Sequence, residues 1–535
     1  SDAFVARLNS DLTQILQSTY LGGSGEDYAT ALAIHPKTGE IYVAGVTKSK
    51  DFPQTAGGAQ EWCSKWVIYL IKSCYDVFVA RLNKDLTQIL QTTYLGGSDE
   101  DYATALAIHP KTGEVYVAGV TSSKNFPKTT GGAQAVYGGG DRDAFVARLN
   151  KELTQILRST YLGGSSDDGA SALAIHPKTG EVYVAGRTKS IDFPDAFGGA
   201  QGSRGGKGDA FVARLNSNLT QILQSTYLGG SENDYAYALA IHPKTGEVYV
   251  VGETYSTNFP NTIGGAQGRH GGGEKDAFVA RLNKELTQIL QSTYLGGNNW
   301  DVAYALVLHP KTGEVYVAGY TFSTDFPRTS GGAQVSYRGL RDAFVARLNK
   351  ELTQILQSTY LGGNDWDSAN ALAIHPTTGE VYVAGGTSSE NFPKTTGGAQ
   401  VVYGGGDWDT FVARLNKELT QILQSTYLGG SRYDGASALA IHPKTGEIYV
   451  AGHTLSDDFP KTACGAQTEC NECITFEYSG SGDAFVARLS ADLSAGNGSD
   501  SDGSGSGGGC GYPMTGSKSS RASLAFVVAR RIRRR

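Results

Sequence analysis

The sequence predicts an all-β fold, a seven-bladed β-propeller whose blades each hold four antiparallel strands, and three observations lead to this prediction. The segment D-A-F-V-A-R-L recurs with small variations, and three further segments recur between its copies: L-T-Q-I-L-x-[ST]-T-Y-L-G-G, A-L-A-I-H-P-K-T-G and E-[VI]-Y-V-[AV]-G. Each segment has the period of two that a pleated strand requires, and none has a helical period. The composition, with 71 glycines and only 18% charged residues, is typical of a turn-rich all-β protein.

We label the four predicted strands of a repeat A to D, from the propeller axis outward. Strand A is A-L-A-I-H-P, strand B is Y-V-A-G, strand C is D-A-F-V-A-R-L and strand D is L-T-Q-I-L. The segment H-P-K-T-G-E supplies turn residues between A and B, and L-N-K-E-L is a short polar link between C and D. A ring of such blades leaves few exposed strand edges. An open solenoid is the alternative, but it requires atypical capping repeats, whereas both ends here are incomplete copies of the repeat.

The repeats are predicted to form one domain over residues 1–490. The units start near residues 2, 76, 143, 209, 276, 342 and 409, with a partial copy near residue 483. The last unit lacks strand D, and a strand D without A or B stands at residues 12–21, so we expect the N-terminal strand to complete the last blade. Residues 2–8 and 483–489 then compete for one place as strand C, and we expect the C-terminal copy to fill it.

The unit G-x-T-x-S-x-[DN]-F-P-x-T-x-G-G-A-Q followed by D-A-F-V-A-R-L resembles the SBBP repeat family, whose name stands for seven-bladed beta-propeller. The resemblance covers roughly residues 1 to 490. It implies the fold, and it implies occurrence in secreted or surface proteins of prokaryotes. It implies no reaction.

Charge and motif content argue against several classes of function. The net charge is -6, but the last 26 residues hold seven Lys or Arg and no acid, which leaves -13 for residues 1–509. A body this acidic repels phosphate backbones, so we predict no nucleic-acid partner for the folded part. No G-x-S-x-G, H-E-x-x-H, P-loop or sialidase-type S-x-D-x-G-x-T-W segment occurs. We therefore predict no catalytic residues, no metal site and no cofactor, with calcium as the alternative discussed below.

The most variable segments are predicted to share one face of the propeller. The D-to-A and B-to-C loops emerge together on what we call the loop-rich face, and the A-to-B and C-to-D turns, which barely change, form the uniform face. On the loop-rich face the residue preceding strand A diverges into an acidic arc and an aromatic arc, to which a tryptophan before one strand C adds. These ligand-binding candidates are Glu26, Glu100, Asp167 and Asn233, then Trp300, Trp366, Tyr433 and Trp408. Exposed aromatics on a rigid rim suit sugar rings or peptide side chains; alternatively they pack on neighbouring loops and cover the channel mouth.

One aspartate is fixed in every D-to-A loop, and one histidine in every A-to-B turn. The aspartates are Asp27, Asp101, Asp168, Asp234, Asp301, Asp367 and Asp434. We interpret them as structural turn acids that accept backbone N–H groups; the alternative is a ring of carboxylates that binds cations such as calcium. The histidines are interpreted as turn residues, and His270 and His453 are the singular ones.

Five cysteines lie in inserts of the first and last B-to-C loops, which become neighbours when the ring closes. They are Cys63, Cys74, Cys464, Cys470 and Cys473. Disulfides there would stabilise the place where the first and last repeats meet, and one of the five cysteines must be free or pair elsewhere; zinc binding is the alternative.

Residues 491–509 are predicted to be a Gly/Ser/Asp linker.

Residues 510–535 form a Cys-containing, weakly apolar, Arg-rich tail. The order of Cys510, a short apolar run and an Arg cluster resembles the C-terminal sorting signals of bacterial surface proteins. That resemblance implies Cys510 as a processing or lipidation point and tethering to a membrane or cell envelope. The apolar run of seven or eight residues is shorter than the ~20 that span a bilayer, so the alternatives are a degenerate signal and a basic membrane-surface segment.

Together these features predict a non-catalytic extracellular or cell-surface scaffold. We expect its loop-rich face to bind a surface glycan, a peptide or a surface protein. A purely structural surface-layer or matrix protein is one alternative, because near-identical repeats leave little time for a site to evolve. A polysaccharide-active enzyme, with carboxylates such as Glu26 and Glu100 in a cleft, is the other.

Overall fold

The structure is a computed structural model that describes residues 1–64, 66–68 and 71–470. By contacts the chain divides into two units, Ser1–Glu477 and Tyr478–Arg535. The predicted strand at residues 483–489, the linker at 491–509, the tail at 510–535 and the candidates Cys473 and Cys510 lie outside the described residues.

Seven four-stranded antiparallel sheets, each in the order A-B-C-D, form the blades of a β-propeller, as predicted. The A strands are β3 Asp27–Ile34, β9 Asp101–Ile108, β13 Asp168–Ile175, β17 Asp234–Ile241, β21 Asp301–Leu308, β25 Asp367–Ile374 and β29 Asp434–Ile441. The B strands are β4 Ile41–Thr47, β10 Val115–Thr121, β14 Val182–Thr188, β18 Val248–Thr254, β22 Val315–Thr321, β26 Val381–Thr387 and β30 Ile448–Thr454.

The outer strands complete each blade. The C strands are β1 Asp2–Leu8, β7 Asp76–Leu82, β11 Asp143–Leu149, β15 Asp209–Leu215, β19 Asp276–Leu282, β23 Asp342–Leu348 and β27 Asp409–Leu415. The D strands are β2 Ile15–Leu21, β8 Ile89–Leu95, β12 Ile156–Leu162, β16 Ile222–Leu228, β20 Ile289–Leu295, β24 Ile355–Leu361 and β28 Ile422–Leu428. A small extra hairpin, β5 Trp66–Ile68 with β6 Ile71–Ser73, lies in the first B-to-C loop. We number the blades 1 to 7 from β3, so that blade 7 consists of β29, β30, β1 and β2.

The last blade is closed by both N-terminal strands, which corrects the prediction for strand C. Strand D of blade 7 comes from the N-terminus, as expected, but so does strand C: Phe4 of β1 lies opposite Gly452 of β30 and Tyr20 of β2. Our expectation that residues 483–489 would fill this place is wrong. A short turn joins β1 to β2, so the pair enters the blade as one hairpin, and little extra chain entropy is lost by closing it.

The blades pack through apolar clusters that each draw on two neighbours. Strand residues such as Tyr42, Val77, Val115 and Phe145 are fully buried between blades 1 and 2. Every strand B also donates a hydrogen bond from its tyrosine hydroxyl to the C-to-D turn of the next blade, as from Tyr42 to the carbonyl of Lys151 at 2.7 Å. A repeat therefore stabilises its neighbour with the same contacts all around the ring.

The first half of each B-to-C loop covers the outer edge of strand D, which the sequence did not indicate. In blade 1 the Thr92 amide donates to the Gln54 carbonyl at 3.0 Å, and the Phe52 amide donates to the buried Tyr94 hydroxyl at 3.0 Å. The loop then reaches blade 2, where the Ala59 amide donates to the Leu153 carbonyl at 2.9 Å. These loops therefore cover the edge of strand D and form a hydrogen bond to the next blade. Only their second halves return to the loop-rich face.

A disulfide closes the first B-to-C loop. Cys63 and Cys74 are bonded, with their Cα atoms 5.9 Å apart. Cys464 and Cys470, in the segment that follows strand B of blade 7, each take part in a disulfide. The Cys63–Cys74 bond lies within one loop, so it does not itself join blades 1 and 7 across the seam. The backbone does so, because the Ala466 amide donates to the Leu86 carbonyl at 2.9 Å. In the described part of the chain, no helix has the length and apolarity to cross a membrane.

Candidate ligand-binding site at the channel mouth

The A strands contact one another in a closed ring around a central channel. The fourth residue of strand A differs in identity between the blades. This residue is a bulge in every A strand, so it opposes no partner on strand B. A bulge re-aims a side chain, and these side chains reach the channel: Thr30, Thr104, Ser171, Tyr237, Tyr304, Asn370 and Ser437. Sequence reasoning missed them, although alignment of the repeats shows the variation.

Two further variable positions lie at the loop-rich end of the blades, where strands B and C meet. The last-but-one residue of strand B is Val46, Val120, Arg187, Glu253, Tyr320, Gly386 or His453. The residue before strand C is Tyr75, Arg142, Gly208, Lys275, Arg341, Trp408 or Ser1. Seven different blades therefore contribute seven different sets of side chains to one channel mouth.

A cavity of about 560 Å³ lies in the channel, mainly on the side of blades 4 to 7. We call it the channel pocket. Its lining residues are Thr30, Thr104, Ser171, Tyr237, Tyr304, Tyr320, Arg341, Ser368, Asn370, Gly386, Trp408, Tyr433, Gly435, Ala436, Ser437 and His453. A cavity of this size suits a ligand of drug-like dimensions or the end of a longer chain.

The predicted aromatic arc is continuous with this pocket. Trp300 and Trp366, each 40% exposed, both contact Phe322, with ring centroids 5.9 and 6.1 Å apart. The rings of Trp408 and Tyr433 follow, with centroids 6.4 Å apart. The structure thus brings all four predicted aromatic residues to the same side of the mouth. Phe322 was missed because it follows strand B, a position that the sequence analysis did not compare.

Tyr433 extends the arc into the pocket, where its ring stacks on His453 with centroids 5.2 Å apart. Burial lowers the pKa of His453 to about 4, so its imidazole is neutral at physiological pH. The other singular histidine, His270, packs edge-on against Tyr294 at 5.6 Å in the fourth B-to-C loop. These two histidines therefore lie apart, in blades 7 and 4.

The predicted acidic arc is neutralised by bases from neighbouring loops. Glu26 pairs with Lys48, and the hydrogen bond from that lysine lowers the pKa of Glu26. Asp167 pairs with Lys189 at 2.9 Å. The other two candidates also have basic partners, Glu100 with Arg142 at 3.5 Å and Asn233 with Arg187 at 3.3 Å. The two sides of the mouth are thus ion-paired and aromatic, because bases distant in sequence meet the acids only in the fold.

The fixed aspartates of the D-to-A loops are buried and hydrogen-bonded. Asp27 accepts hydrogen bonds from the Gly23 amide at 2.9 Å and the Ser49 hydroxyl at 2.7 Å, and the same two bonds recur at the six equivalent aspartates. This is the geometry that the turn-acid interpretation requires. Burial raises the pKa of Asp27 to about 7, although hydrogen bonds from Thr47, Ser49 and Gly23 oppose the shift.

A second buried aspartate, the first residue of strand C, lies beside each turn acid. A Cβ atom on Gly96 would lie 2.7 Å from oxygens of both Asp76 and Asp101, so only glycine fits between these carboxylates. Burial is the main cause that raises the pKa of Asp76 to about 8, and the nearby Asp101 adds to it. The junction of blades 1 and 2 therefore holds, on the loop-rich face, a pair of buried carboxyl groups whose pKa values are both raised.

The fixed histidines belong to the uniform face. The Nδ1 atom of His35 accepts a hydrogen bond from the Thr38 amide at 3.1 Å, within its own A-to-B turn. Its Nε2 atom lies against Gly113 in the turn of the next blade, where a Cβ atom would be 2.8 Å away. Among the described residues, no three His, Cys, Asp or Glu side chains are grouped as a metal site.

Arg341 stands out among the charged residues of the mouth. Its guanidinium carbon lies 4.6 Å from the ring centroid of Tyr320, 4.9 Å from that of Trp366 and 5.4 Å from that of Trp408. No carboxylate oxygen of the described chain lies within 4.0 Å of it. Burial lowers its pKa. Arg341 is therefore a partly buried cation that aromatic rings surround on three sides.

No protein-family model and no curated protein matches this chain. Among solved structures, Sqt1 of Chaetomium thermophilum is 10% identical, with a TM-score of 0.41 over 80% of this chain and 94% of that chain. The Pan2 WD40 domain of Neurospora crassa is also 10% identical, with a TM-score of 0.39 over 79% of this chain and 88% of that chain.

Proposed function

We propose that this protein is a non-catalytic binding scaffold that works outside the cytoplasm, and that the mouth of its central channel on the loop-rich face holds the ligand. The observation that carries the proposal is the aromatic arc beside the channel pocket. In a chain of near-identical repeats, structural demands alone would place the same residues in every blade. The blades differ most around this mouth, which points to a function that acts there.

The arc is built on rigid backbone. The Phe322 amide donates a 2.9 Å hydrogen bond to the Trp300 carbonyl, and the Ser388 amide donates one of 2.8 Å to the Trp366 carbonyl. These bonds join the backbone of each tryptophan, just before strand A, to the residue that follows strand B of the same blade. Large aromatic side chains in fixed positions offer contact area at a low cost in conformational entropy, which suits the faces of sugar rings and the side chains of peptides.

The carboxylates at the mouth favour binding over catalysis. A glycosidase requires a general acid whose pKa is raised and a second carboxylate at a defined distance from it. Ion pairing instead lowers the pKa of Glu26 and of Asp167, so both are fully ionised near neutral pH. The buried aspartates have raised pKa values, but they lie inside the blade junctions, where glycine and backbone enclose them.

A location at the cell surface is supported by the disulfides. Cys63 and Cys74 are bonded within one loop, and Cys464 and Cys470 each take part in a disulfide. Structural disulfides persist in oxidising compartments and are rare in the cytosol. The resemblance to the SBBP repeat family points the same way. Attachment to a membrane or cell envelope through residues 510–535 belongs to the same proposal.

Tryptophan fluorescence tests this function directly. We would titrate the purified chain with polysaccharides, peptidoglycan fragments and peptides, and compare it with the Trp300→Ala, Trp366→Ala double variant. A saturable change in emission that the double variant loses is the expected result. Trp62→Ala is the matched control, because Trp62 is 76% exposed on the first B-to-C loop and belongs to another blade. No response to any member of the panel would contradict the proposal and favour a purely structural role.

A further inference from the structure

The repeats provide internal controls for the charge at the channel mouth. Three blades carry a base immediately before strand C, and in two of them it is paired. Arg142 of blade 2 pairs with Glu100, which precedes strand A of the same blade, at 3.5 Å. Lys275 of blade 4 pairs with Glu253, the last-but-one residue of strand B, at 2.7 Å. In both cases a carboxylate of the same blade neutralises the base.

Blade 5 has the base without either acid. Trp300 occupies the position of Glu100, and Tyr320 occupies the position of Glu253. The Arg341 guanidinium lies over the Tyr320 ring, where Lys275 meets the Glu253 carboxylate, and over the Trp366 and Trp408 rings of blade 6. The Nε atom of Arg341 is buried and has no hydrogen-bond partner in the described chain. A buried charged donor without a partner is costly, and a bound anion is one way to remove that cost.

The pocket that Arg341 lines carries no acid. Arg341 is the one permanently charged side chain among the described lining residues of the pocket, and burial holds the lining residue His453 neutral. The remaining walls combine aromatic rings, such as Tyr304 and Trp408, with small hydroxyl groups, such as Ser171 and Ser437. This composition differs from that of a simple anion site, which needs neither rings nor a spread of neutral polar groups.

We infer that the channel pocket binds an acidic sugar unit, a uronic acid of a polysaccharide, whose carboxylate is held by the Arg341 guanidinium. An arginine presents donors in a planar fork that matches a carboxylate. Aromatic walls suit the apolar faces of a pyranose ring, and hydroxyl walls suit its equatorial hydroxyls. This inference rests on the proposed binding function and names the chemical class of its ligand.

The experiment uses the full chain and trigalacturonate as the probe, with binding measured by isothermal titration calorimetry. The fully methyl-esterified trisaccharide has the same rings without the charge. We expect the acid to bind and the ester to bind about 10- to 150-fold more weakly, the factor that one charge-assisted hydrogen-bonded contact supplies. Equal affinity for acid and ester would overturn the inference, and this comparison requires no variant.

Variants of Arg341 test whether its guanidinium binds the carboxylate of the ligand. Arg341→Gln is expected to bind trigalacturonate about 10- to 150-fold more weakly than the wild type does, and to bind the ester with unchanged affinity. Arg341→Lys keeps the charge but not the planar fork of donors, so its affinity for trigalacturonate should lie between those of the wild type and Arg341→Gln. Arg142→Gln is the matched control, since Arg142 holds the equivalent position and is paired, and it should bind like the wild type. Unchanged affinity in Arg341→Gln would overturn the inference.

Two further titrations test whether the pocket prefers an acidic sugar to other anions. Inorganic sulfate and a trialanine peptide with a free carboxylate are expected to bind at least tenfold more weakly than trigalacturonate. Binding of either as tightly as trigalacturonate, and dependent on Arg341, would overturn the assignment to a sugar. If neutral oligosaccharides bind through Trp300 and Trp366 while Arg341 has no effect, the proposed function stands and this inference fails.

Discussion

The hydroxyl of Tyr449 in blade 7 donates a 2.8 Å hydrogen bond to the carbonyl of Lys84 in blade 1. This bond joins the C-terminal part of the ring to its N-terminal part, 365 residues apart in sequence. It copies the bond that Tyr249 makes to the carbonyl of Lys350 between blades 4 and 5, where donor and acceptor are 101 residues apart. The junction that closes the ring therefore uses the same contact as the junctions that the chain forms in sequence.

Tyr449→Phe should destabilise the protein as much as Tyr249→Phe does. Each change removes one interblade hydrogen bond, which contributes about 1 kcal/mol. Denaturant unfolding of the two variants and the wild type measures both effects. A loss at Tyr449 that is much smaller than the loss at Tyr249 would show that the seam is open in solution.

Phe4→Ala should destabilise the protein by about 3 to 5 kcal/mol, because Phe4 is fully buried in blade 7 and its loss leaves a cavity. Phe485→Ala is the matched change in the second copy of the segment, and we expect little effect since β1 already occupies the place of strand C. The free energy of unfolding of each variant checks this. A large effect at Phe485 with none at Phe4 would reverse the assignment.

The paired aspartates predict that stability falls as the pH rises from 5 to 8.5. Burial raises the pKa of Asp27 to about 7 and that of Asp76 to about 8, above the ~3.9 of an unfolded chain. A raised pKa means that the folded state binds protons more tightly, so the contribution is complete below the unfolded value and is lost as pH rises through 7 to 8. The melting temperature should therefore be higher at pH 5.5 than at pH 8.5.

Asp76→Asn tests the origin of that pH dependence. The asparagine carbonyl still accepts the Ser64 amide that Asp76 accepts at 2.7 Å, but it carries no proton to lose, so the slope with pH should decrease. Glu40→Gln is the control for surface pairs. Burial opposes ionisation of Glu40, but hydrogen bonds from Arg81 outweigh it and lower its pKa, so its contribution is lost only below about pH 4.5. An unchanged slope in Asp76→Asn would contradict the prediction.

Replacing Cys63 and Cys74 with serine should destabilise the folded state by about 2 to 3 kcal/mol. The bond closes a loop with a sequence separation of 11, and in the chain-entropy account a loop of that length restricts the unfolded chain by this amount. Urea unfolding of the double serine variant measures the change. A loss of ligand binding at the channel mouth without a loss of stability would show a different role for the bond.

The repeat pattern predicted the blade, its strand order and the ring, since these follow from alternation and turn chemistry within about 70 residues. It could not choose between residues 2–8 and 483–489, whose sequences are the same, because the choice depends on which strand is joined to the closing hairpin. It also missed the bases that neutralise Glu26 and Asp167 and the missing acid beside Arg341. Those relationships join loops that meet only when the propeller has formed.

The closure of blade 7 by the β1–β2 hairpin has a consequence for synthesis of the chain. The hairpin is translated before blades 1 to 6, but its partner β30 ends only at Thr454. Until then its buried face has no native cover, while six growing blades offer B strands of nearly the same sequence. Exchange of hairpins between nascent chains is thus the characteristic misassembly to expect of this architecture, and polysomes or crowded expression would favour it.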